Sequence, residues 1–325
     1  MQNLKIGLAY DLRSDYLKQG YSEECTAEFD SEDTIQSLEK TLISLGHEVE
    51  LIGNGRALAE RLSTGSRWDL VFNICEGLDG RSREAQVPAI LELFNQPYTF
   101  SDPLTCALTL DKSMAKRLVL SHGLNTPRFK LVRRIEELED LKLRYPLFAK
   151  PNDGGTGQGI SSRSRATDKD QLRSICSELL KHSSVLVEEY LPGREFTVGI
   201  VGNGDSAEIL GIMQIVIPSG NVYTYEMKEQ CEKYVKYLGM EKDELYEAIS
   251  ILALSSYSIC ECRDAGRVDI RLDSCGCPSF MEINPLPGLN PTHSDLPMIA
   301  TMAGMSYPEL ISRIIKEAVG RLPTT

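Results

Sequence analysis

The chain has 325 residues, of which 42% are hydrophobic and 25% are charged, a composition typical of a globular protein with room for two or three domains. Its formal net charge is -12, and no basic tract is longer than a pair such as Arg133-Arg134. The charge argues against a general nucleic-acid partner or an acidic-membrane surface, so any anionic ligand has to meet locally placed cations.

The first residues, MQNLKIGLAYD, lack the basic segment and long apolar core of a signal peptide, and no apolar run approaches the roughly 20 residues that span a bilayer. We therefore expect a cytoplasmic protein without a membrane partner. Nine cysteines, an odd number, fit reduced thiols better than a disulfide framework. Cys260, Cys262, Cys275 and Cys277 form two C-x-C pairs, whose spacing disfavours a zinc site.

Strand-like and helical segments alternate from residue 1 to about 104. LKIGLAYD, HEVELIG and WDLVFNI have the apolar content of buried strands. A helix with Asp30 or Ser31 as its N-cap and Gly46 at its end lies between the first two strands, and REAQVPAILELFN forms a helix after the third. This alternation predicts a small open parallel α/β unit.

The pattern changes after this unit. TCALTLDKSMAKRLVLSHG predicts one helix that Gly123 closes. The remaining predicted elements are strands at PLFAK (146–150) and ISSRSRA (160–166), a helix at 168–181, strands at VLVEEYL and EFTVGIVG, a polar loop at 218–240, a helix near 241–262, a hairpin, and a final helix at about 307–319.

The hairpin is formed by VDIRLD and SFMEIN, and a two-residue loop at Cys275-Gly276 is predicted because Gly supplies the positive φ of a tight turn. Counting outward from that loop pairs Asp269 with Glu282. Directly opposed side chains lie on one face about 5 Å apart, and alternation places Asn284 on the same face as Glu282.

Two carboxylates at that distance repel each other unless a hard divalent cation lies between them. The Asn carbonyl and phosphate oxygens then complete the oxygen shell that Mg²⁺ prefers. A solvated acidic rim is the alternative, but Met281 and Ile283 are expected on the opposite face, and the apolar flanks favour a metal site.

The loop KPNDGGTGQG, residues 150–159, contains four glycines that allow backbone N–H groups to approach an anion closely. Among them, Gly155 and Gly157 lie on either side of Thr156. The P-loop signature is absent and strands flank the loop on both sides, so a hairpin flap over phosphates fits better than a P-loop. A simple surface turn is the alternative for this loop taken alone.

Four cations accompany these motifs: Lys112, Lys150, Lys228 and Arg267. Each alone is explained by a solvated surface position. Together with a divalent cation they are the groups needed to bind a triphosphate and to neutralise a transferring phosphoryl group.

From about residue 68 to 320, the motifs in this order resemble the ATP-grasp superfamily and, within it, the D-alanine:D-alanine ligase family. LDKSMAK resembles the family's first lysine motif, FAKPNDGGTGQG its phosphate flap, and VLVEEYLPGREFTV its adenine hinge. GRVDIRLD together with MEINPLPGLNPTHSDLPMIATMAGMSYPEL is similar to its metal and substrate segment.

The resemblance implies an α/β and α+β fold class, namely an ATP-grasp fold preceded by an open parallel α/β domain. The implied division is an N-terminal pre-ATP-grasp domain at 1–104, a central ATP-grasp subdomain with the glycine-rich flap at 105–187, and a C-terminal subdomain with the metal and substrate site at 188–325.

The resemblance also implies roles for the matching residues. The implied ATP contacts are Lys112, Lys150, Gly155, Thr156, Gly157, Glu188, Glu189, Tyr190, Leu191, Glu195, Lys228 and Glu282. Mg²⁺, as two ions and with Mn²⁺ as an alternative, is implied at Asp269, Glu282 and Asn284. The implied catalytic groups are Arg267, the Gly288 backbone N–H, Lys228 and Thr156, and the implied substrate contacts are Asn290, His293, Ser294 and Glu229.

The implied activity is ATP-dependent carboxylate-amine ligation through an acyl phosphate, with amino acids as substrates, D-alanyl-D-alanine for the cell wall as one product, and a homodimer as the assembly. A ligase for another amino acid pair or a natural-product precursor is one alternative. A non-catalytic nucleotide-binding regulator is another, but a binding module has no need for the oxyanion cation Arg267.

The first-substrate region departs from the family pattern. The family's opening Gly-Gly-x-Ser-x-Glu loop is replaced by an acidic segment, its lid tyrosine by Glu229, its flap serine by Thr156, and its histidine-containing loop by NICEGLDGRSREAQ. We therefore expect a rebuilt first-substrate pocket. The candidates for binding an amine are Glu229, Glu76, Glu84 and the acids between Asp11 and Glu28, and those for binding a carboxylate are Arg81 and Arg83.

Overall fold

The structure is a computed structural model that describes residues 3–155, 160, 164–216 and 236–322. Thr156, Gly157, Lys228 and Glu229 lie outside the described residues. The described strands are β1 (Lys5–Tyr10), β2 (Glu48–Gly53), β3 (Leu70–Ile74), β4 (Phe129–Val132), β5 (Leu147–Pro151), β6 (Arg165–Ala166), β7 (Val185–Glu189), β8 (Glu195–Val201), β9 (Glu208–Val216), β10 (Lys236–Gly239), β11 (Ala265–Leu272) and β12 (Pro278–Asn284).

The described helices are α1 (Arg13–Lys18), α2 (Glu32–Ser44), α3 (Gly55–Ser63), α4 (Gln86–Leu93), α5 (Pro103–Leu110), α6 (Lys112–Ser121), α7 (Lys169–Leu179), α8 (Glu244–Ile259), α9 (Asp295–Met302) and α10 (Tyr307–Gly320). Short 3₁₀ turns occur at Arg83–Ala85, Ile135–Leu138 and Gly204–Ser206. No described helix has the length and apolar content to span a membrane.

The N-terminal unit contains a three-stranded parallel sheet of order β2-β1-β3, as the sequence predicted. All five residues of β3 are buried, which explains its continuous apolar sequence. Ser31 caps α2 by accepting a hydrogen bond from the Thr34 N–H, and Gly46 follows the helix with a φ of 91°. The predicted helix boundaries are confirmed at both ends.

The rest of the fold is built on two antiparallel sheets, of order β4-β7-β5-β6 and β10-β9-β8-β11-β12. Each has its own apolar core: α7 packs on the first sheet, and α8 packs on β11 and β12 of the second. The ends of β5 and β12 lie close together, and Lys150 and Glu282 form an ion pair there between the two sheets.

The single helix predicted for TCALTLDKSMAKRLVLSHG is wrong, because the chain breaks at Asp111 into α5 and α6. Asp111 has a ψ of 92° and caps α6, accepting a hydrogen bond from the Met114 N–H at 3.1 Å. Two groups outside these helices support the break: Arg81 binds the Asp111 carboxylate at 2.6 Å, and the Asn152 carbonyl accepts from the Lys112 N–H at 3.0 Å. The break places Lys112 at the first turn of α6.

The predicted two-residue hairpin loop is also wrong. The Asp273 N–H donates to the Cys277 carbonyl at 2.9 Å, so Ser274, Cys275 and Gly276 form a three-residue loop, in which Gly276 has a φ of 81°. This loop alone would shift the pairing by one residue.

A β-bulge at Met281 restores the predicted pairing. Ile270 pairs with Phe280, but Asp269 pairs with Glu282, so Met281 is the extra residue of β12. The bulge also turns Met281 towards the side on which Glu282 lies, since both line the same cleft, and the prediction that Met281 faces the other side is wrong. Ile283 is buried in the apolar core on the opposite side, as predicted.

Candidate active site

A cleft of about 770 Å³ lies between the two antiparallel sheets, and we call it the first cleft. Its walls include eight of the residues predicted to bind ATP or metal, which are Lys150, Glu188, Glu189, Tyr190, Leu191, Glu195, Asp269 and Glu282. Met281, Phe148 and Ile215 supply apolar surface. The predicted nucleotide and metal residues are therefore brought together by the fold.

A chain of alternating charges runs along the base of the first cleft. Lys116 lies 3.0 Å from Glu188, and Lys150 lies 3.4 Å from both Glu188 and Glu282. Burial by itself would raise the pKa of Glu188, but Lys116 and Lys150 together outweigh it and hold the pKa below its usual value. Glu188 is therefore an ionised, compensated carboxylate in the protein interior.

Lys150 is almost fully buried at the end of β5. Burial disfavours its charged form, yet Glu188 and Glu282 raise its pKa well above the usual value. Lys112 lies close to this end of the cleft: its ammonium is 3.8 Å from Glu282 and donates to the Gly154 carbonyl in the glycine-rich loop. The ammonium groups of Lys112 and Lys150 therefore both lie beside Glu282.

The opposite end of the first cleft is formed by the segment Glu189–Leu191 and by Glu195. The Glu189 side chain turns away, accepting from the Arg144 N–H at 3.0 Å, so its backbone and not its carboxylate is available to the cleft. Arg271 binds Glu195 at 3.1 Å and donates to the Tyr190 hydroxyl at 3.2 Å. Arg271 therefore joins the predicted ribose residue to the predicted hinge.

Asp269 and Glu282 are directly opposed, but a metal ion is not needed to balance them. Arg267 binds Asp269 through two nitrogens, at 3.1 and 3.2 Å, and binds Asp295 at 2.6 Å. Glu282 is balanced by Lys150, 3.4 Å away. The expectation that only a bound cation makes this pair tolerable is wrong, because neighbouring protein cations already compensate both acids.

The donor set at the hairpin nevertheless fits a hard cation. No group of three or more His, Cys, Asp or Glu side chains in the described part of the chain is arranged to hold a metal. Asp269 and Glu282 offer two carboxylates, and Mg²⁺ is commonly bound through one or two carboxylates with phosphate oxygens completing the shell. Asn284 Oδ1 accepts from the Leu286 N–H at 3.1 Å, which leaves its second lone pair free for a ligand.

A second cleft adjoins the first and shares Asp295 with it. One wall consists of Arg267, Asn284, Gly288 and the loop from Asn290 to Asp295. The opposite wall comes from the N-terminal unit and carries Arg13, Glu28, Asp30 and Glu76. Its volume is about 1150 Å³, and it lies where the sequence predicted the amino-acid substrates.

The predicted substrate residues form an ordered loop beside the second cleft. Ser294 accepts from the Asn290 N–H at 3.0 Å, and the Asn290 side-chain oxygen accepts from the His293 N–H at 3.1 Å. Gly288 lies against Ser294, because a Cβ at position 288 would come within 2.8 Å of Ser294 Oγ. Asn290, His293 and Ser294 all line the second cleft, and Asn290 also fixes the shape of the loop.

The acidic and basic residues that the sequence offered as candidates for binding the first substrate differ in their surroundings. Arg81 is bound to Asp111, and Arg83 is bound to Glu28 at 2.6 Å, so both arginines already have carboxylate partners within the protein. Burial raises the pKa of Glu76 well above its usual value, and it raises the pKa of Glu84 to about 7. Glu28 and Glu76 line the second cleft.

Sequence reasoning did not assign roles to Lys116, Arg271 or Asp295. Lys116 lies four residues after Lys112, and that helical spacing was a usable signal for a second lysine directed to the same cleft. Arg271 follows Asp269 by two residues on β11, so alternation along the strand also placed it on the cleft face. Asp295 had no comparable signal.

Residues 118–316 match the protein-family model described as D-ala D-ala ligase C-terminus. A D-alanine-D-alanine ligase of Bordetella petrii is 34% identical over 287 residues, covering 87% of this chain and 86% of that protein. In structure, the D-alanine-D-alanine ligase of Bacillus anthracis complexed with ATP aligns with a TM-score of 0.75 at 24% identity, over 98% of each chain. The VanG D-Ala:D-Ser ligase of Enterococcus faecalis aligns with a TM-score of 0.73 at 22% identity, over 98% of this chain and 100% of the other.

Proposed function

Because this chain belongs to the D-alanine:D-alanine ligase family and is an ATP-grasp ligase, we propose that it joins the carboxylate of one amino acid to the amine of another through an acyl phosphate. The observation that carries the proposal is the position of Arg267. It lines the second cleft and binds both Asp269, which lines the first, and Asp295, which lines both. A phosphoryl donor and an amino-acid acceptor in the two clefts would therefore meet beside it.

The first cleft is proposed to hold ATP. Lys112 and Lys150 contact its phosphates, the backbone of Glu188–Leu191 contacts the adenine, and Glu195 contacts the ribose. Gly155, Thr156, Gly157 and Lys228 are proposed to add contacts to the phosphates. Lys150 is held by the buried Glu188, and both lysines are held by the partly exposed Glu282, so they need little reorganisation to bind the triphosphate.

Asp269, Glu282 and Asn284 are proposed to hold Mg²⁺, as two ions. A bound divalent cation would neutralise phosphate charge and draw electron density from the transferring phosphoryl group. The protein's part is to direct both carboxylates to the cleft, where the flanking Arg267 and Lys150 balance their charge.

The second cleft is proposed to hold the amino acids. The γ-phosphoryl group passes to the carboxylate of the first amino acid, and the amine of the second then attacks the carbonyl carbon and displaces phosphate. Arg267 and the Gly288 N–H are proposed to stabilise the negative oxygen of the tetrahedral intermediate. Ser294, His293 and Asn290 are proposed to receive the second amino acid, with Glu229 as a further candidate. Catalysis rests on positioning and on charge neutralisation.

The identity of the two substrates is proposed on narrower grounds. D-Alanine is the first candidate because the Bordetella petrii relative is named a D-alanine-D-alanine ligase. A different pair is the second candidate, and the wall formed by Glu28, Asp30 and Glu76 favours it. Glu28 and Asp30 belong to the segment that replaces the family's first-substrate loop, and Glu76 belongs to the segment that replaces its histidine-containing loop. The fold itself does not decide the pair, since it is shared with a D-Ala:D-Ser ligase.

Three further properties are proposed from the family. We propose a cytoplasmic location, a homodimer and, if D-alanine is the substrate, a role in supplying cell-wall precursor. Small amino acids are the expected partners. The division into domains at 1–104, 105–187 and 188–325 likewise remains a prediction.

ADP and phosphate release with Mg-ATP tests the proposal, measured against single amino acids and pairs of both chiralities. Release that requires D-alanine alone supports D-alanyl-D-alanine synthesis, and release with another pair identifies that pair as the substrates. The ligated product should be detected by mass spectrometry in the same reaction. If a broad panel of pairs yields neither ADP nor product although the protein binds Mg-ATP, the ligase proposal is wrong.

A further inference from the structure

The N-terminal unit contacts the start of the glycine-rich loop through one arginine. Arg83 donates to Glu28 Oε2 at 2.6 Å and, through its other terminal nitrogen, to the Asp153 carbonyl at 2.9 Å. The Arg83 and Glu28 side chains are only 11% and 10% exposed. The pair is therefore shielded from solvent, where an ion pair contributes more than on the open surface.

Glu28 also touches the loop directly. A Cβ at position 155 would clash with Glu28 Oε1, so the carboxylate occupies the space that any side chain at this position would need. On the other side, Lys112 donates to the Gly154 carbonyl. The segment Asp153–Gly155 is therefore held between Lys112 of the ATP cleft and the Glu28–Arg83 pair of the N-terminal unit.

The same pair takes part in the wall of the second cleft. Glu28 lines that cleft, beside Asp30 and Glu76. Arg83 is the positive neighbour of three acids, because Glu28, Glu84 and Glu76 all favour its charged form. Without this guanidinium Glu28 would face Glu76 and Glu84 with no opposing charge beside it, and it would lose the partner that holds it against Gly155.

We propose that Arg83 is a positioning residue that couples the two clefts. Through Glu28 and the Asp153 carbonyl it fixes the segment Asp153–Gly155, so ATP binding in the first cleft depends on an ion pair in the wall of the second. If a group of the first amino acid contacts Glu28, its binding also affects the position of the segment Asp153–Gly155. The inference rests on the proposed function, because it takes the first cleft as the ATP site.

The test measures the equilibrium Kd for Mg-ATP by calorimetry in the absence of amino acids, at a temperature well below unfolding. Arg83→Met should weaken ATP binding by about tenfold, the order expected when a charge-assisted hydrogen bond that positions a binding segment is lost. Arg83→Lys should recover part of the loss, because lysine keeps the charge but not the two-pronged geometry. Arg173→Met is the matched control, since it removes an exposed pair with Glu139 and should leave the Kd unchanged.

Gly155→Ala supplies an independent perturbation of the same contact. The added methyl group displaces Glu28 from its place beside Arg83, so Gly155→Ala should weaken ATP binding as well. Because both substitutions break one contact, the double variant Arg83→Met/Gly155→Ala should lose less affinity than the two single losses combined. If Arg83→Met does not fold, the same comparison is made with Arg83→Lys, Gly155→Ala and their double variant.

An ATP Kd within twofold of wild type in folded Arg83→Met, or fully additive losses in the double variant, would overturn the coupling and leave Arg83 a purely structural residue. The measurement needs no turnover. Wild-type protein that binds Mg-ATP but ligates no amino acid pair therefore refutes the ligase proposal alone. Wild-type protein that does not bind Mg-ATP refutes both.

Discussion

Asp269 on β11 lies directly opposite Glu282 on β12, and each carboxylate has a cation of its own. Arg267 binds Asp269 from two residues away on the same strand, whereas Lys150 reaches Glu282 from the other sheet. The acids therefore do not depend on a ligand for electrostatic balance in the folded protein. Their substitution should affect the reaction more than the stability.

Glu282→Gln tests this separation. We expect ADP release to fall by about 10²- to 10³-fold, as when one preorganised charged group is removed from a transition-state site. The fold should persist, because the amide keeps the shape of the side chain and the lost ion pairs are partly exposed to solvent. Turnover is measured over a range of Mg²⁺ concentrations, and circular dichroism checks the fold.

Glu139→Gln is a suitable control for this experiment, since Glu139 forms exposed ion pairs with Lys169 and Arg173 far along the chain from the hairpin. It should turn over at the wild-type rate. Wild-type turnover in Glu282→Gln itself would remove Glu282 from the metal site.

The pairing of Asp269 with Glu282 could be predicted from the sequence, but the loop length and the bulge that produce this pairing could not. Alternation and a glycine turn gave the right partner residue, but the real loop is one residue longer and the bulge at Met281 compensates for it. The position of a bulge depends on the tertiary contacts that the strand makes with other segments of the chain. Here Phe280 accepts from the Thr126 hydroxyl at 2.8 Å, a contact 154 positions apart in sequence, which no local pattern reveals.

Asp295→Asn should lower kcat by about tenfold with little change in the Kd for ATP, because a charged partner of Arg267 becomes neutral. Arg267 would keep Asp269 but lose the 2.6 Å charged contact that fixes it from the second cleft. Single-turnover rates and ATP binding are measured on the same preparation. An unchanged rate, or a loss confined to ATP affinity, would show that Asp295 does not position Arg267 for the reaction.

Lys116→Met should be strongly destabilising. The Lys116 side chain is fully buried and its burial lowers its pKa to about 8, although Glu188 at 3.0 Å favours the charged form. Removal of the amine leaves Glu188 with Lys150 alone, and breaking a buried pair in this way costs about 3–5 kcal/mol. Urea denaturation followed by circular dichroism measures the free energy of unfolding.

The matched double variant Lys116→Met/Glu188→Gln should recover part of that loss, because no uncompensated carboxylate then remains buried. Lys169→Met, at an exposed pair, should stay within about 0.5 kcal/mol of wild type. A loss below about 1 kcal/mol in Lys116→Met would mean that the buried amine contributes little to Glu188.

The first-substrate wall illustrates what the sequence could not decide. Acids before residue 29 and two arginines after residue 80 were visible, but spacing gave no pairing between them. The pairing of Glu28 with Arg83 joins residues 55 positions apart and depends on how the segment before α2 packs against the segment before α4. The positions of Lys112 and Lys150 were easier to predict, since Lys112 begins a helix and Lys150 lies at the end of a strand.

Glu84→Gln should change the pH dependence of stability. Burial raises the pKa of Glu84 from 4.5 to about 7, with Arg83 opposing the shift and Glu28 adding to it. Between about pH 4.5 and 7 the folded protein therefore holds a proton that the unfolded chain has released. Stability consequently falls as the pH rises through this window, by roughly 3 kcal/mol for a shift of this size.

Glutamine cannot lose a proton, so its contribution to stability stays constant across the same window. We expect the difference between the free energies of unfolding, Glu84→Gln minus wild type, to increase as the pH rises from 5 to 8. Urea denaturation at each pH measures both free energies. Asp30, whose pKa is raised by burial and by Asp11 and not by Glu84, titrates in both proteins and cancels in the difference. Parallel curves for the two proteins would show that Glu84 is already ionised at pH 5, and that Arg83 outweighs the burial of its neighbour.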